Sequence, residues 1–275
     1  MSQGLPEVES EDAASGTRIH EWLATGSKEA WDALSGDEGD TAERCLEQNH
    51  AVLARWLADI GATEADIIVT VCEQRLGLTP LGLAFDVKDG DGREYVITGQ
   101  PDDVTVVKTS AGMYALVIDY KTGRLDVEDA ADNDQLRGLA VLVSKRYGCG
   151  RVRVAVVQPW AGQPTEAEFS GEALCDAEEW LEEVIKGLDL PLTCNAGEWC
   201  KYCLAASIPC PALVAAGTKP VEQAMLARPL PAESDTAKAA LFARAMEMDA
   251  PSLAALLDKR VLFEKAMAAV EGAAK

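Results

Sequence analysis

Tyr114-Ala115-Leu116-Val117-Ile118-Asp119-Tyr120-Lys121-Thr122-Gly123 is an apolar run that ends in an acid, an aromatic and a base before a glycine. In an extended strand alternate side chains share a face. Asp119 and Lys121 therefore project together, while Ile118 and Tyr120 face the other way. A carboxylate and an ammonium at the end of an apolar strand cost desolvation unless they meet water or are used. A bare acid-x-lysine at an exposed strand end would be unremarkable. The preceding segment changes that reading: Gly99-Gln100-Pro101-Asp102 follows the apolar Tyr95-Val96-Ile97 and offers a second acid, beside Asp119 on the neighbouring strand. Two convergent carboxylates make an oxygen-rich site for a hard divalent cation. Lys121 is placed to orient a water or to stabilise charge developing on a phosphate.

Working outward, periodicity predicts a helix opening at Gly16, with Ile19, Trp22 and Leu23 on one face, and a second from Thr41 to Ile60. The Ser35–Asp40 stretch between them reads as a loop. Strands are predicted at Ile67–Glu73, Gly82–Val87, Glu94–Ile97, Val104–Lys108 and Tyr114–Lys121. Asn133–Tyr147 returns to helix, Val152–Gln158 is a strand apolar enough to be buried on both faces, and 171–187 is helical. Further helices are expected at 233–248 and 251–273. This order predicts an α/β domain around one mixed sheet, with a helical C-terminal appendage. The expected organisation is a disordered acidic leader over 1–15, a domain over 16–215 and an extension over 216–275.

The 275 residues carry 25 basic and 46 acidic side chains, a net charge of −21. That balance argues against a generic nucleic-acid binder. The charge is uneven, however. Residues 135–165 hold Arg137, Lys145, Arg146, Arg151 and Arg153 and no acid, a strip compatible with a polyanion at one place. No run of about 18 apolar residues offers a transmembrane helix, and the acidic start does not resemble a secretory signal. A cytoplasmic location is the expectation. No Gly-x4-Gly-Lys-Ser/Thr phosphate loop is present, so no motor is encoded.

Four of the eight cysteines crowd together as Cys194-x5-Cys200-x2-Cys203-x6-Cys210. Cys-x2-Cys spacing serves both zinc and iron–sulfur clusters. Cys72, Cys149 and Cys175 sit in apolar stretches and read as core.

Asp102 followed by Asp119-Tyr120-Lys121 resembles the signature of the PD-(D/E)XK nucleases, with a literal Pro101-Asp102. Gly99-Gln100-Pro101-Asp102, the Asp-Tyr-Lys-x-Gly run and the helical Gln135 are similar to the RecB-like branch. Gly16-Thr17-Arg18-Ile19-His20 matches its upstream histidine motif, and Glu73 looks like its first-strand acid. One departure is Leu139, which stands where the branch usually has a tyrosine four residues after the glutamine. Cys200, Cys203 and Cys210 resemble the C-terminal triplet of AddB-like relatives and a CRISPR-associated exonuclease, which bind a four-iron, four-sulfur (4Fe-4S) cluster. The fourth ligand would be Cys194, with Cys45 the upstream alternative and zinc the alternative metal.

The resemblance implies a restriction-endonuclease-like core and a metal-dependent DNA exonuclease of recombination, repair or phage DNA processing. His20, Asp102, Asp119 and the Tyr120 backbone carbonyl would hold Mg²⁺ or Mn²⁺. Asp102, Asp119, Lys121 and Gln135 would be catalytic, and Arg137, Lys145 and Arg146 would contact DNA. A strand-annealing recombination protein or a second copy of the chain is the expected partner, in a host cytoplasm if the chain is phage-encoded. The alternatives are a non-catalytic DNA-end-binding or adaptor module on the same fold and, less favoured, an acidic protein imitating DNA.

Overall fold

The computed structural model describes residues 11–188 apart from 89, 125 and 126, together with Gly197 and Ala212. Residues 9–190 form one compact unit. Cys194, Cys200, Cys203 and Cys210, the expected helices at 233–248 and 251–273 and the extension over 216–275 lie outside the described residues.

The Asp-Tyr-Lys strand is central. It is β6 (Gly112–Tyr120), with β5 (Asp103–Thr109) antiparallel on one side and β7 (Arg151–Val157) parallel on the other. β1 (Ile67–Cys72) pairs outside β5 and β8 (Thr165–Ser170) outside β7, giving a mixed five-stranded sheet in the order β1-β5-β6-β7-β8. The parallel β6–β7 step needs a crossover, and α4 (Asp134–Tyr147) supplies it. A small second sheet, β3-β2-β4, is built from Leu76–Leu78 (β2), Ala84–Asp86 (β3) and Ile97–Gly99 (β4). The fold is thus the expected α/β class, a central mixed sheet flanked by helices.

Strict alternation divides the core. Ala115, Val117, Val152, Val154 and Val156 face α4, α5 (Glu172–Leu188) and the small sheet. Leu116, Ile118, Tyr120, Ala155 and Val157 face the other way, onto Cys45, Val52 and Trp56 of α3 (Gly36–Asp59). Both faces of β6 and β7 are covered, so these strands are almost wholly apolar. β8 is an edge strand, and its Glu166 and Glu168 pair across to Arg153 at 3.0 and 3.1 Å. Charges on an edge strand discourage pairing with another chain.

Several boundaries differ from the sequence expectations for local reasons. α3 starts at Gly36, because Ser35 and Glu38 form a reciprocal capping box across the stretch expected to be a loop. α1 (Glu11–Thr25) starts five residues before Gly16, within the segment expected to be a disordered leader. Glu11 and Asp12 suit its first turn, where the helix dipole favours negative charge. A short α2 (Lys28–Asp32) follows. Cys149 is buried as expected, Cys72 is half-buried, and Cys175 is exposed on α5 rather than in the core. Cys45 is wholly buried among apolar side chains, and burial pushes its thiol up to about 12. A cluster ligand must be a thiolate, which this pocket disfavours.

Arg18 ties α1 to α3. Its guanidinium donates to Glu38 Oε1 at 2.5 Å and to Glu11 Oε1 at 3.0 Å, and Glu38 is itself buried. Arg18, then the Ser35 backbone amide, hold the Glu38 carboxyl down at about 2 against an ordinary 4.5. A depressed acid contributes stability that is complete above its unfolded pKa and lost as pH falls toward the folded one. Acid unfolding monitored by circular dichroism should therefore show Glu38→Gln to be less stable than wild type at pH 7. The difference should shrink as pH falls from 4.5 toward 2. A difference independent of pH would remove the Arg18–Glu38 pair from the account.

Candidate metal centre and catalytic site

Strand register aligns three acids. Cys72 pairs with Asp103 across β1–β5, and Asp103 pairs with Ile118 across β5–β6. One residue further, Glu73, Asp102 and Asp119 stand in a row at the same end of three adjacent strands. The Glu73 amide donates to the Asp102 carbonyl at 3.0 Å, which continues the ladder into this row. Asp102 Oδ2 accepts the Tyr120 amide at 2.6 Å, so the loop acid is latched to the Asp-Tyr-Lys strand.

Asp119 is only 2% exposed. Its Oδ1 accepts Gln135 Nε2 at 2.9 Å, and its Oδ2 lies 2.7 Å from Lys121 Nζ. Lys121 in turn donates to Gln135 Oε1 at 3.2 Å. The three side chains close a ring in which each group touches the other two. Gln135 reaches the ring from the first turn of α4, whose start is set by the Asn133 side chain accepting the Leu136 amide at 3.0 Å. Gly99 lets α4 come this close: a Cβ there would lie 2.8 Å from Leu139 Cδ2 and 2.9 Å from Leu142 Cδ1. Leu139, at the family's tyrosine position, is buried against that glycine.

His20 arrives from α1. Its Nδ1 lies 3.3 Å from Asp102 Oδ1 and 3.4 Å from Glu73 Oε1, and its ring meets Tyr120 edge-on at 6.0 Å between centroids. Burial pulls the imidazole pKa down, but the bonds and charges of Asp102 and Glu73 outweigh it, so the net shift is upward. For Asp119, burial pushes the carboxyl up against the pull of Lys121. Beneath the site, Asn49 of α3 donates both to the Tyr120 hydroxyl and to Asp103 Oδ2, the latter at 3.1 Å.

One ligand atom each from His20, Glu73 and Asp102 lies within 4.8 Å of the others. These residues fit a divalent cation: two are carboxylates, one is an imidazole, and Asp119 adds a buried carboxylate beside them. Asp119, also expected to be a ligand, stands next to this trio, with its oxygens in contact with Gln135 and Lys121. Glu73 was outside the expected ligand set. It is the one non-glycine described residue with positive φ, at 51°. A left-handed backbone there costs free energy and persists where surrounding structure enforces it. The turn it creates brings the carboxylate toward His20, while Gln100 holds its other oxygen at 2.6 Å.

The family model of the PD-(D/E)XK nuclease superfamily matches residues 2–211. The chain belongs to this superfamily. Among solved structures, this PD-(D/E)XK chain is similar to the crystal structure of SSO0001. The two share 15% identity over 76% of this chain and 90% of that one, with a TM-score of 0.31. No curated protein matches.

The expected DNA-contact cations are placed differently from the acids. Arg137 lies two residues beyond Gln135, over the Trp180 ring at 5.1 Å and 3.5 Å from Asp134. Lys145 and Arg146 are at the far end of α4, about 15 Å or more along its axis from Gln135. Lys145 pairs with Glu178 at 2.9 Å, and Arg146 grips Asp86 through two bonds of 2.7 and 2.8 Å. Arg151 and Arg153 are likewise paired with acids of β8. Much of the basic strip is thus ion-paired with partners distant in sequence, Lys145 with α5 and Arg146 with β3.

If Glu73 is a ligand, Glu73→Gln should weaken Mn²⁺ binding in calorimetric titration by about tenfold or more. The same change removes a like charge beside Asp102, so stability in chelator should not fall below wild type. Unchanged Mn²⁺ affinity would exclude Glu73 from the centre.

Proposed function

We propose that this PD-(D/E)XK protein is a divalent-metal-dependent DNA exonuclease of the RecB-like, AddB-like branch. It would hydrolyse phosphodiester bonds from DNA ends in recombination, repair or phage DNA processing. The observation that supports a working nuclease is the juxtaposition of the His20–Glu73–Asp102 trio with the Asp119–Lys121–Gln135 ring. An adaptor that only kept the fold would have no need of both.

In this proposal His20, Asp102, Asp119 and the Tyr120 carbonyl hold Mg²⁺ or Mn²⁺, with Glu73 added to the set. A bound cation lowers the pKa of water and neutralises charge on the phosphate. The imidazole nitrogen favours Mn²⁺ more than an all-oxygen set would. Lys121 orients the attacking water and faces the charge that builds on the phosphate oxygens. Gln135 keeps the ammonium aimed by accepting one of its protons and anchors Asp119 by donating to it. The Tyr120 amide fixes the carboxylate of Asp102. Of the expected DNA-contact residues, Arg137 is the one close enough to serve beside the site.

End-dependent cutting, the 4Fe-4S cluster on Cys194, Cys200, Cys203 and Cys210, and a strand-annealing partner or self-association rest on the resemblance of the sequence motifs. Such a cluster would be structural, stapling the chain after α5. Protein purified without oxygen should be brown, with broad absorption near about 400 nm, whereas zinc would leave it colourless.

With Mn²⁺ or Mg²⁺, end-labelled linear duplex should be degraded while covalently closed circles survive, and Lys121→Ala should lose at least about a hundredfold in rate. Cutting of circles would make the enzyme an endonuclease. Linear DNA left intact by folded, metal-loaded wild type would end the nuclease proposal.

A further inference from the structure

Three described arginines, Arg44, Arg75 and Arg124, have no carboxylate within 4.0 Å among the described residues, whereas every other described arginine is in an ion pair. In a chain of net charge −21 an unpaired guanidinium is conspicuous. Two of the three meet at one indole. Arg44 lies over the Trp160 ring at 5.0 Å and Arg124 over the same ring at 4.9 Å. The two guanidinium carbons therefore lie within about 10 Å of each other. Both arginines are exposed, and Trp160 keeps 38% of its surface accessible.

The topology puts this group at the metal end of the sheet. β6 and β7 run parallel, and the Lys121 amide donates to the Val157 carbonyl at 2.9 Å. Arg124 is three residues beyond Lys121, no more than about 11 Å along the backbone. Trp160 is three residues beyond Val157, in a loop tied back by Gln158 Nε2 to the Gly123 carbonyl at 3.1 Å. Arg44 is on α3 one turn before Gln48, whose amide holds the Gly162 carbonyl of the same loop at 2.8 Å.

We propose that Arg44, Trp160 and Arg124 form a phosphate clamp that holds a nucleic-acid strand beside the metal centre. The inference rests on the reading of the chain as a DNA nuclease and adds a substrate contact beyond the expected Arg137, Lys145 and Arg146. Two like charges gathered on one ring repel each other, and a phosphate reached by both forks at the edge of the indole relieves that cost. Stacking on the indole fixes the planar forks before substrate arrives, so less side-chain entropy is lost on binding. Arginine suits the task because each fork can donate two parallel bonds to one phosphate. The acidic remainder of the surface repels DNA, which makes a local clamp of unpaired cations the more necessary.

The test uses full-length protein carrying Lys121→Ala, with Mn²⁺, and a fluorescein-labelled oligodeoxythymidylate followed by anisotropy across a salt series. Adding Arg44→Gln and Arg124→Gln should weaken binding by about tenfold or more and reduce the slope of log affinity against log salt by about 1.4. Arg44→Lys with Arg124→Lys should keep most of the slope while losing affinity, because charge remains and the fork is gone. Removing two other exposed cations, Lys88→Gln with Lys108→Gln, should change neither quantity.

Unchanged affinity and slope in the arginine-to-glutamine protein would overturn the clamp and leave the nuclease reading standing. An equal loss in the lysine pair would also overturn it, since the effect would then be net charge alone. Failure of the parent protein to bind DNA would overturn the clamp, while Lys121-dependent cleavage by wild type separately decides the nuclease reading.

Discussion

Three carboxylates in one row across three adjacent strands are the constraint on which the rest of the structure depends. Glu73, Asp102 and Asp119 would repel one another if all were charged and left alone. The molecule surrounds them with the means to tolerate that: Lys121 on Asp119, the Tyr120 amide on Asp102, Gln100 on Glu73 and the His20 ring between two of them. A sheet that had only to be stable would place apolar or neutral residues there. Native proteins accept such local cost where a site needs it.

The remaining architecture can be read as what holds this row in register. A one-residue slip of β6 would turn Asp119 and Lys121 to the face occupied by Ile118 and Tyr120 and expel both apolar sets from their cores. That slip is prevented from both sides, by Val52 and Trp56 of α3 on one face and Leu136, Leu139 and Ala140 of α4 on the other. α4 also delivers Gln135, and Gly99 permits its approach. α1 delivers His20, and its position depends on the buried Glu38 that also caps α3. The same residue thus serves a helix start and the presentation of the histidine one element away.

Much of this was written locally in the sequence. The alternation of β6 and the acid after Pro101 lie within a few residues of the features that reveal them, so Asp102, Asp119 and Lys121 could be found from spacing, and Gln135 by resemblance. Glu73 could be suspected only by resemblance, because nothing local announces a left-handed backbone at a glutamate. The start of α3 was masked by Gly36 and Gly39, poor helix formers that obscure a capping box of Ser35 and Glu38. β2 is too short to show a period, and the acids of β8 look like solvated loop until Arg151 and Arg153 are seen opposite. The charge strip was less legible, for a deeper reason. Its cations have partners far away in sequence, Arg146 with Asp86 above all, and a one-dimensional charge count cannot register a neutralisation made in three dimensions.

The central claim is that the aligned acids and His20 form a single divalent-cation centre. Anomalous diffraction from crystals of the full chain soaked in Mn²⁺ tests it most directly. The account predicts a peak in contact with His20, Glu73 and Asp102, on the side of the row that faces Asp119 and Lys121. An ordered Mn²⁺ found elsewhere, with this row unliganded at saturating concentration, would contradict it.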